Sequence, residues 1–131
     1  MIGIVIVAHG GLAREYLAAV EHVVGKQQGF IAISVAAECD RDEKQREICD
    51  AADAVDQGDG VVVVVDMFGS SPSNLSMGAC NCAERQILYG ANLPVLVKLA
   101  GSRTLPIEKA VDISVQAGKK YMNARSGPSA A

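Results

Sequence analysis

Short apolar runs alternate with amphipathic stretches along the chain. Three runs rich in β-branched residues suit strands that are covered on both faces, and they span residues 2–8, 30–35 and 61–65. Residues 86–89 are predicted to form a fourth strand. Residues 94–99 are equally apolar but so few that periodicity does not distinguish a strand from a buried helix.

Between the strands, apolar positions recur at spacings of three and four, the period of a helix with one buried face. This spacing predicts helices over residues 12–24, 41–57, 72–83 and 106–116. We expect Asp40 and Ser71 to cap the second and third of these helices at their first turns. We expect Gly118 to end the last helix.

Strands that alternate with helices predict an α/β fold. The sheet should be doubly wound and mostly parallel, with four strands, right-handed crossovers and helices on both faces. In such sheets ligands bind at the carboxyl ends of the strands, near a switch in strand order. His9 directly follows the first apolar run and Asp66 directly follows the third. We therefore expect His9 and Asp66 to meet at this edge.

A histidine beside an aspartate has a defined chemistry. The carboxylate accepts a hydrogen bond from one ring nitrogen, which fixes the tautomer and leaves the other nitrogen with a free lone pair, a nucleophile. Gly10 opens the helix after His9, and Gly69, Ser70 and Ser71 open the helix after Asp66. Helix amino termini and glycine-rich loops favour anions, so the sequence predicts a phosphate site. The side chains of Ser70, Ser71, Ser73 and Asn74 would add hydroxyl and amide donors to the same anion.

Composition narrows the function. A length of 131 residues fits one domain, and a chain that is 50% hydrophobic, 4% aromatic and without Trp must build its core from aliphatic side chains. A net charge of -3 gives no electrostatic footprint for nucleic acid. The first residues have no basic leader and too short an apolar run to cross a bilayer, so a cytoplasmic protein is expected.

The sequence predicts neither a metal site nor a cofactor. Cys80 and Cys82 are separated by one residue, whereas structural zinc sites use two to four. We expect these two thiols, Cys39 and Cys49 to be reduced, with a redox role for Cys80 and Cys82 as the alternative. His22 is predicted to be a solvated residue on the first helix. The chain has no Walker-type motif for ATP.

Three segments carry a family resemblance. The sequences IVIVAHGGLA, VVVVVDMFGSSPSN and YGANLPVLVKL resemble the signature segments of the mannose-family enzyme IIA proteins, phosphoryl carriers of the bacterial phosphoenolpyruvate-dependent sugar phosphotransferase system. The resemblance extends from Met1 to about Met122. Family members often have Trp and Gly-Gly where this chain has Phe68 and then Gly69-Ser70.

The resemblance implies particular roles and partners. His9 would be phosphorylated by the histidine phosphocarrier protein and would pass the group to a IIB component, while Asp66 orients the ring and Ser71 binds the phosphoryl group. Residues 94–99, which periodicity does not assign to a strand or a helix, would belong to a helix capped by Asn92. The protein would be a homodimer that exchanges a short antiparallel strand at residues 119–124. The IIA domain would span residues 1–124, followed by a flexible tail, 125–131.

Two functions remain open at this stage. The protein either moves phosphoryl groups toward a sugar permease, or it is a regulatory phosphoprotein whose His9 phosphorylation state is read by a binding partner without sugar transport. The phosphoryl carrier of dihydroxyacetone kinases is a third, related possibility. Both main hypotheses require phosphorylation of His9, and any membrane contact would be indirect, through permease components.

Overall fold

Four parallel strands form the sheet, as the alternation of strands and helices predicts. The computed structural model of the chain describes residues 1–67, 71–80 and 84–128. Within these residues the strands are β1 (Gly3–His9), β2 (Phe30–Val35), β3 (Val61–Val65) and β4 (Arg85–Tyr89), in the order β2-β1-β3-β4. The chain leaves β1 toward β2 on one side and returns to β3 on the other. The switch in strand order therefore lies between β1 and β3.

Helices cover both faces of the sheet. They are α1 (Leu12–Val24), α2 (Arg41–Val55), α3 (Ser71–Ser76), α4 (Leu93–Ala100) and α5 (Ile107–Lys120), and a 3₁₀ segment (Met77–Cys80) follows α3. Buried residues of α1, α4 and α5 form one apolar cluster with the sheet. Buried residues of α2, α3 and the 3₁₀ segment form a second cluster on the opposite face. None of the helices in the described part of the chain is long and apolar enough to cross a membrane.

The central strands explain this two-sided burial. Ile4 and Ile6 of β1 belong to the first cluster, whereas Val5 and Val7 belong to the second. Alternate residues of a strand point to opposite faces, so a continuous run of apolar residues fills both layers. Every residue of β3 is buried for the same reason.

The third predicted helix is shorter than expected. The sequence predicts residues 72–83, but α3 ends at Ser76 and a 3₁₀ segment continues to Cys80, while residues 81–83 lie outside the described residues. Ser71 is the first helical residue, not the residue before it. The carbonyl of Ala79 accepts a hydrogen bond from Arg85 at 3.2 Å, which satisfies it outside any helical ladder.

The segment that periodicity left open is a helix. Asn92 precedes α4 and its side chain accepts a hydrogen bond from the amide of Val95 at 3.0 Å, which confirms the cap that the family resemblance implies. The same side chain donates to the carbonyl of Gly118 at 3.1 Å. Asn92 therefore both starts α4 and joins it to α5.

The prediction that Gly118 ends the last helix is wrong, because α5 continues to Lys120. Gly118 is buried, and a Cβ atom at this position would lie 2.7 Å from a methyl group of Val95. Glycine is therefore present to let α5 approach α4 closely, and not to terminate α5.

The chain beyond α5 differs from the expected strand. Lys119 and Lys120 complete α5, so a strand over residues 119–124 could begin no earlier than Tyr121. Residues 122–127 have no regular structure in the single chain, and Tyr121 and Met122 are 68% and 78% exposed. An isolated segment has no neighbouring strand to pair with, and β4 is an edge of the described sheet.

A buried arginine fastens the amino ends of the strands, opposite the edge that carries His9. Arg103 donates to the carbonyls of Ile2 and Gly29, both at 2.8 Å, and to the side chain of Gln27 at 3.2 Å. Its own carbonyl accepts from the amide of Ile2 at 2.9 Å. Burial lowers the pKa of the guanidinium. The arginine thus joins the start of β1, the α1–β2 loop and the α4–α5 loop.

Candidate functional site

His9 is the last residue of β1, where a glycine turn leads into α1. Gly10 has a φ of +55°, which a side chain would disfavour, and its amide donates to the carbonyl of Val35 at 3.1 Å. Gly11 precedes the first residue of α1, Leu12. The turn is therefore bound to β2, and it leaves the His9 side chain half exposed.

Asp66 follows β3 directly and contacts His9 twice. One carboxylate oxygen, Oδ2, accepts from the backbone amide of His9 at 3.0 Å and lies 2.7 Å from Nδ1 of the ring. The other oxygen, Oδ1, accepts from the amide of Met67 at 3.0 Å. The side chain of Asp66 is only 11% exposed, so these bonds are largely shielded from water. The expectation that His9 and Asp66 meet at the carboxyl edge is confirmed.

Charge on Asp66 decides the ring tautomer. Burial raises the pKa of the Asp66 carboxyl, but the hydrogen bonds from the amide and ring of His9, the charge of His9 and the bond from Met67 outweigh it and lower the pKa overall. An ionised carboxylate is only an acceptor, so Nδ1 must carry the proton in the 2.7 Å contact. Nε2 of a neutral His9 then keeps its lone pair.

Two residues that the sequence reasoning missed support this pair. The hydroxyl of Tyr16 on α1 donates to the carbonyl of Ala91 at 3.1 Å, and the amide of Ala91 donates to the carbonyl of Val65 at 3.1 Å. Burial raises the pKa of Tyr16, and the charge of Asp66 raises it further. The sequence places Tyr16 in the apolar stripe of α1, and no motif distinguishes its hydroxyl.

The candidate phosphate-binding residues are only partly described. Ser71 is exposed and opens α3, which packs against β1 and β3, whereas Gly69 and Ser70 lie outside the described residues. The amide of Gly10 is already bonded to Val35. Any contribution of Gly10 to anion binding would therefore come from the shape of its turn. Asn74 is exposed, and the side chain of Ser73 is not described.

The remaining chemical candidates lie away from this pair. His22 is exposed, as expected. Cys39 and Cys49 are free thiols of intermediate burial, and burial, followed by the charges of Asp53 and Asp50, raises the pKa of Cys49. Cys82 and the side chain of Cys80 fall outside the described residues. Among the residues that are described, no group of three or more His, Cys, Asp or Glu could hold a metal ion.

The fold defines a class of protein: an open parallel α/β sheet with a His–Asp pair at the switch in strand order. Solved structures of this shape include phosphotransferase system component EIIA from Streptococcus agalactiae, with a TM-score of 0.84, 23% identity and coverage of 95% of this chain and 97% of that one. The mannose/sorbose specific IIA subunit from Enterococcus faecalis has a TM-score of 0.85 and 21% identity, with 96% of both chains covered. At these identities the likeness concerns the fold.

Sequence comparison identifies the family. Residues 3–115 match the family described as "PTS system fructose IIA component". "Putative phosphotransferase enzyme IIA component YadI" of Escherichia coli (strain K12) is 29% identical over 107 residues, which cover 79% of this chain and 71% of that protein. The chain belongs to the fructose and mannose IIA family of the sugar phosphotransferase system. Its family role is therefore phosphotransfer in that system.

Proposed function

We propose that this protein is a phosphoryl carrier that accepts a phosphoryl group on Nε2 of His9 from the histidine phosphocarrier protein and passes it to a IIB component for sugar uptake. The observation that supports the proposal is the contact between Nδ1 of His9 and the Asp66 carboxylate at 2.7 Å. It leaves Nε2 of the half-exposed ring with its nucleophilic lone pair. Family membership supplies the class of reaction.

The transfer follows from this geometry. The Nε2 lone pair attacks phosphorus in line, a P–N bond to His9 forms, and the P–N bond to the donor histidine breaks, returning its electron pair to the donor ring. The His9 ring, protonated on Nδ1, then carries positive charge that the Asp66 carboxylate stabilises through its 2.7 Å contact. Transfer to the acceptor reverses these steps. Little other covalent chemistry is required of the protein.

The phosphoryl oxygens need donors beside the ring. We assign this role to the hydroxyl of Ser71, to the loop residues Gly69 and Ser70, and to the first amides of α1. The opening turns of helices carry unpaired N–H groups and partial positive charge, which suit an anion. Gly10 shapes the turn that brings α1 to this position, with its φ of +55°. No cofactor takes part in the proposed reaction.

The surroundings of His9 suit a protein partner. Leu12, at the start of α1, and Met67, next to Asp66, are 39% and 57% exposed. Exposed apolar side chains, methionine among them, are enriched in the buried centre of protein interfaces. A phosphohistidine protein as donor, in the cytoplasm, therefore fits better than a free nucleotide.

The family resemblance also supports a dimer. In this arrangement a strand within residues 121–124 of one protomer pairs antiparallel with the sheet of the other. The exposure of Tyr121 and Met122, at 68% and 78%, fits burial against a second copy. The edge position of β4 offers unpaired backbone groups for such an exchange. We accordingly assign residues 1–124 to the IIA domain and 125–131 to its tail.

The direct test is phosphorylation in a reconstituted system. The protein is incubated with phosphoenolpyruvate, enzyme I and the histidine phosphocarrier protein, and its intact mass is measured. Wild type and the His22→Ala control should gain one acid-labile phosphoryl group, and His9→Ala should gain none. Wild type that stays unmodified beside a phosphorylated donor would overturn the proposal. A phosphorylated protein that transfers nothing to a IIB acceptor would instead support the regulatory alternative.

A further inference from the structure

Tyr16 and Asp66 are joined through a closed path of bonds. Tyr16 donates to the carbonyl of Ala91 at 3.1 Å, and Ala91 donates to the carbonyl of Val65 at 3.1 Å. Asp66 comes next in the chain and accepts from the amide of His9 at 3.0 Å. The chain then runs from His9 through the glycine turn into α1, which carries Tyr16. The path therefore closes around the candidate site.

The direction of the Tyr16 hydroxyl matters to Asp66. The carboxylate lies near enough for its charge to act on Tyr16, yet the hydroxyl donates to Ala91. A hydroxyl has a single proton, so while Tyr16 donates to the β4–α4 loop it does not donate to Asp66. The Asp66 oxygens stay available to the donors that they do bind, the amide and ring of His9 and the amide of Met67.

Loss of the Tyr16 hydroxyl would remove one hydrogen bond from this path. The carbonyl of Ala91 would lose its side-chain donor, and the β4–α4 loop would lose this hydrogen bond to α1, while the apolar packing in which the Tyr16 ring takes part would remain. The loop also holds Val65, through the amide of Ala91. Small displacements there would move the carboxylate relative to the His9 ring, and hydrogen bonds depend on both the distance and the angle between donor and acceptor.

We propose that Tyr16 is a positioning residue for His9, whose hydroxyl fixes the β4–α4 loop against α1 so that Asp66 holds the ring in the Nδ1–H tautomer. The tautomer is a property of the free protein. The consequence for transfer rests on the proposed carrier function, because only that function uses the lone pair of Nε2.

A purely structural role is the competing explanation. The Tyr16 ring packs against the apolar cluster beneath α1, so removal of the whole side chain would destabilise the fold whatever the hydroxyl does. Tyr16→Phe separates the two explanations because it keeps the ring and removes only the hydroxyl. Ser102→Ala is the matched control, because it also removes a hydroxyl that donates to a main-chain carbonyl, that of Lys98 at 2.7 Å, but next to Arg103 and away from His9.

The test combines nitrogen NMR of the His9 ring with the rate of phosphorylation by the phosphocarrier protein. Wild type and Ser102→Ala should show the Nδ1–H tautomer, and Tyr16→Phe a mixture of both tautomers. The rate of Tyr16→Phe should fall by about threefold to tenfold, the effect of one neutral hydrogen bond. Denaturation by urea checks that the variants are folded.

The tautomer decides the inference. If Tyr16→Phe keeps the wild-type ring spectrum, Tyr16 does not position His9 and the inference is overturned, even if stability falls. If the spectrum changes as expected while no form of the protein is phosphorylated, the positioning role stands and the carrier function fails. A rate loss in Tyr16→Phe without a change of tautomer also counts against the inference.

Discussion

Replacement of Asp66 by asparagine tests the most important contact of the candidate site. Asp66→Asn keeps the size of the side chain and one carbonyl oxygen but removes the charge that faces His9. Hydrogen bonds to charged groups contribute about 1.5–3 kcal/mol and neutral ones about 0.5–1.5 kcal/mol. In the transition state for phosphoryl transfer the ring carries positive charge, so the 2.7 Å contact to Nδ1 should stabilise that state by about 1–2 kcal/mol less in Asp66→Asn than in wild type.

This loss predicts phosphoryl transfer to His9 that is slower by about fivefold to thirtyfold. The asparagine amide adds to the effect, because its N–H can donate to Nδ1 and favour the tautomer in which Nε2 is protonated. The assay is a single-turnover transfer from a phosphorylated histidine phosphocarrier protein, quenched at short times and followed by intact mass. Saturating donor separates the transfer step from binding.

Asp112→Asn, on an exposed position of α5, is the matched control and should transfer at the wild-type rate. The expected result is a slower step in Asp66→Asn with unchanged dependence on donor concentration. If Asp66→Asn transfers as fast as wild type, the carboxylate does not stabilise charge on the ring, and the mechanism derived from the contact is refuted.

Three further predictions concern stability. Because the pKa of the Asp66 carboxyl is lowered in the folded protein, its charge stabilises the fold at pH values above the ordinary pKa of the unfolded carboxyl. This stabilisation is lost as the pH falls through the lower pKa of the folded protein. The difference in free energy of unfolding between wild type and Asp66→Asn should therefore shrink below about pH 4 in urea titrations. Gly118→Ala should lower the free energy of unfolding by about 1 kcal/mol, since a Cβ atom 2.7 Å from a Val95 methyl overpacks the contact by more than helix propensity returns; a more stable variant would contradict the close approach of α4 and α5. Arg103→Met should lower it by about 2–3 kcal/mol, because the carbonyl of Ile2 loses its 2.8 Å donor, and an unchanged thermal midpoint would argue against this role.

The strands could be predicted from the sequence because their burial is uniform. β2 and β3 begin and end where the apolar runs do, β1 is shifted by one residue at both ends, and β4 begins one residue earlier than predicted. α4 could not be recognised by periodicity because its eight residues make about two turns. The prediction for the end of α5 is wrong because Gly118 is required by its contact with Val95 of α4. The local sequence carries no information about a contact with another helix.

The candidate site also has residues that the sequence predicts and residues that it does not. His9 ends β1 and Asp66 directly follows β3, and because these parallel strands are neighbours, strand order alone brings the two residues together. The hydrogen bond from Tyr16 to Ala91 spans 75 positions and involves a main-chain acceptor, which no side-chain pattern reveals. The proposed phosphate contacts of Ser71, Gly69 and Ser70 stay predictions.

The way Asp66 holds His9 has a kinetic consequence for the proposed carrier. With Nδ1 bonded to the carboxylate, the half-exposed ring offers a single nucleophilic nitrogen, Nε2. A donor and an acceptor must both reach that nitrogen from the same direction, so they cannot be bound together. The donor and the acceptor must then bind one after the other, so transfer should show ping-pong kinetics, and the two partners should compete for the site. The lifetime of the phosphorylated ring has to exceed the time that one partner takes to leave and the next takes to arrive.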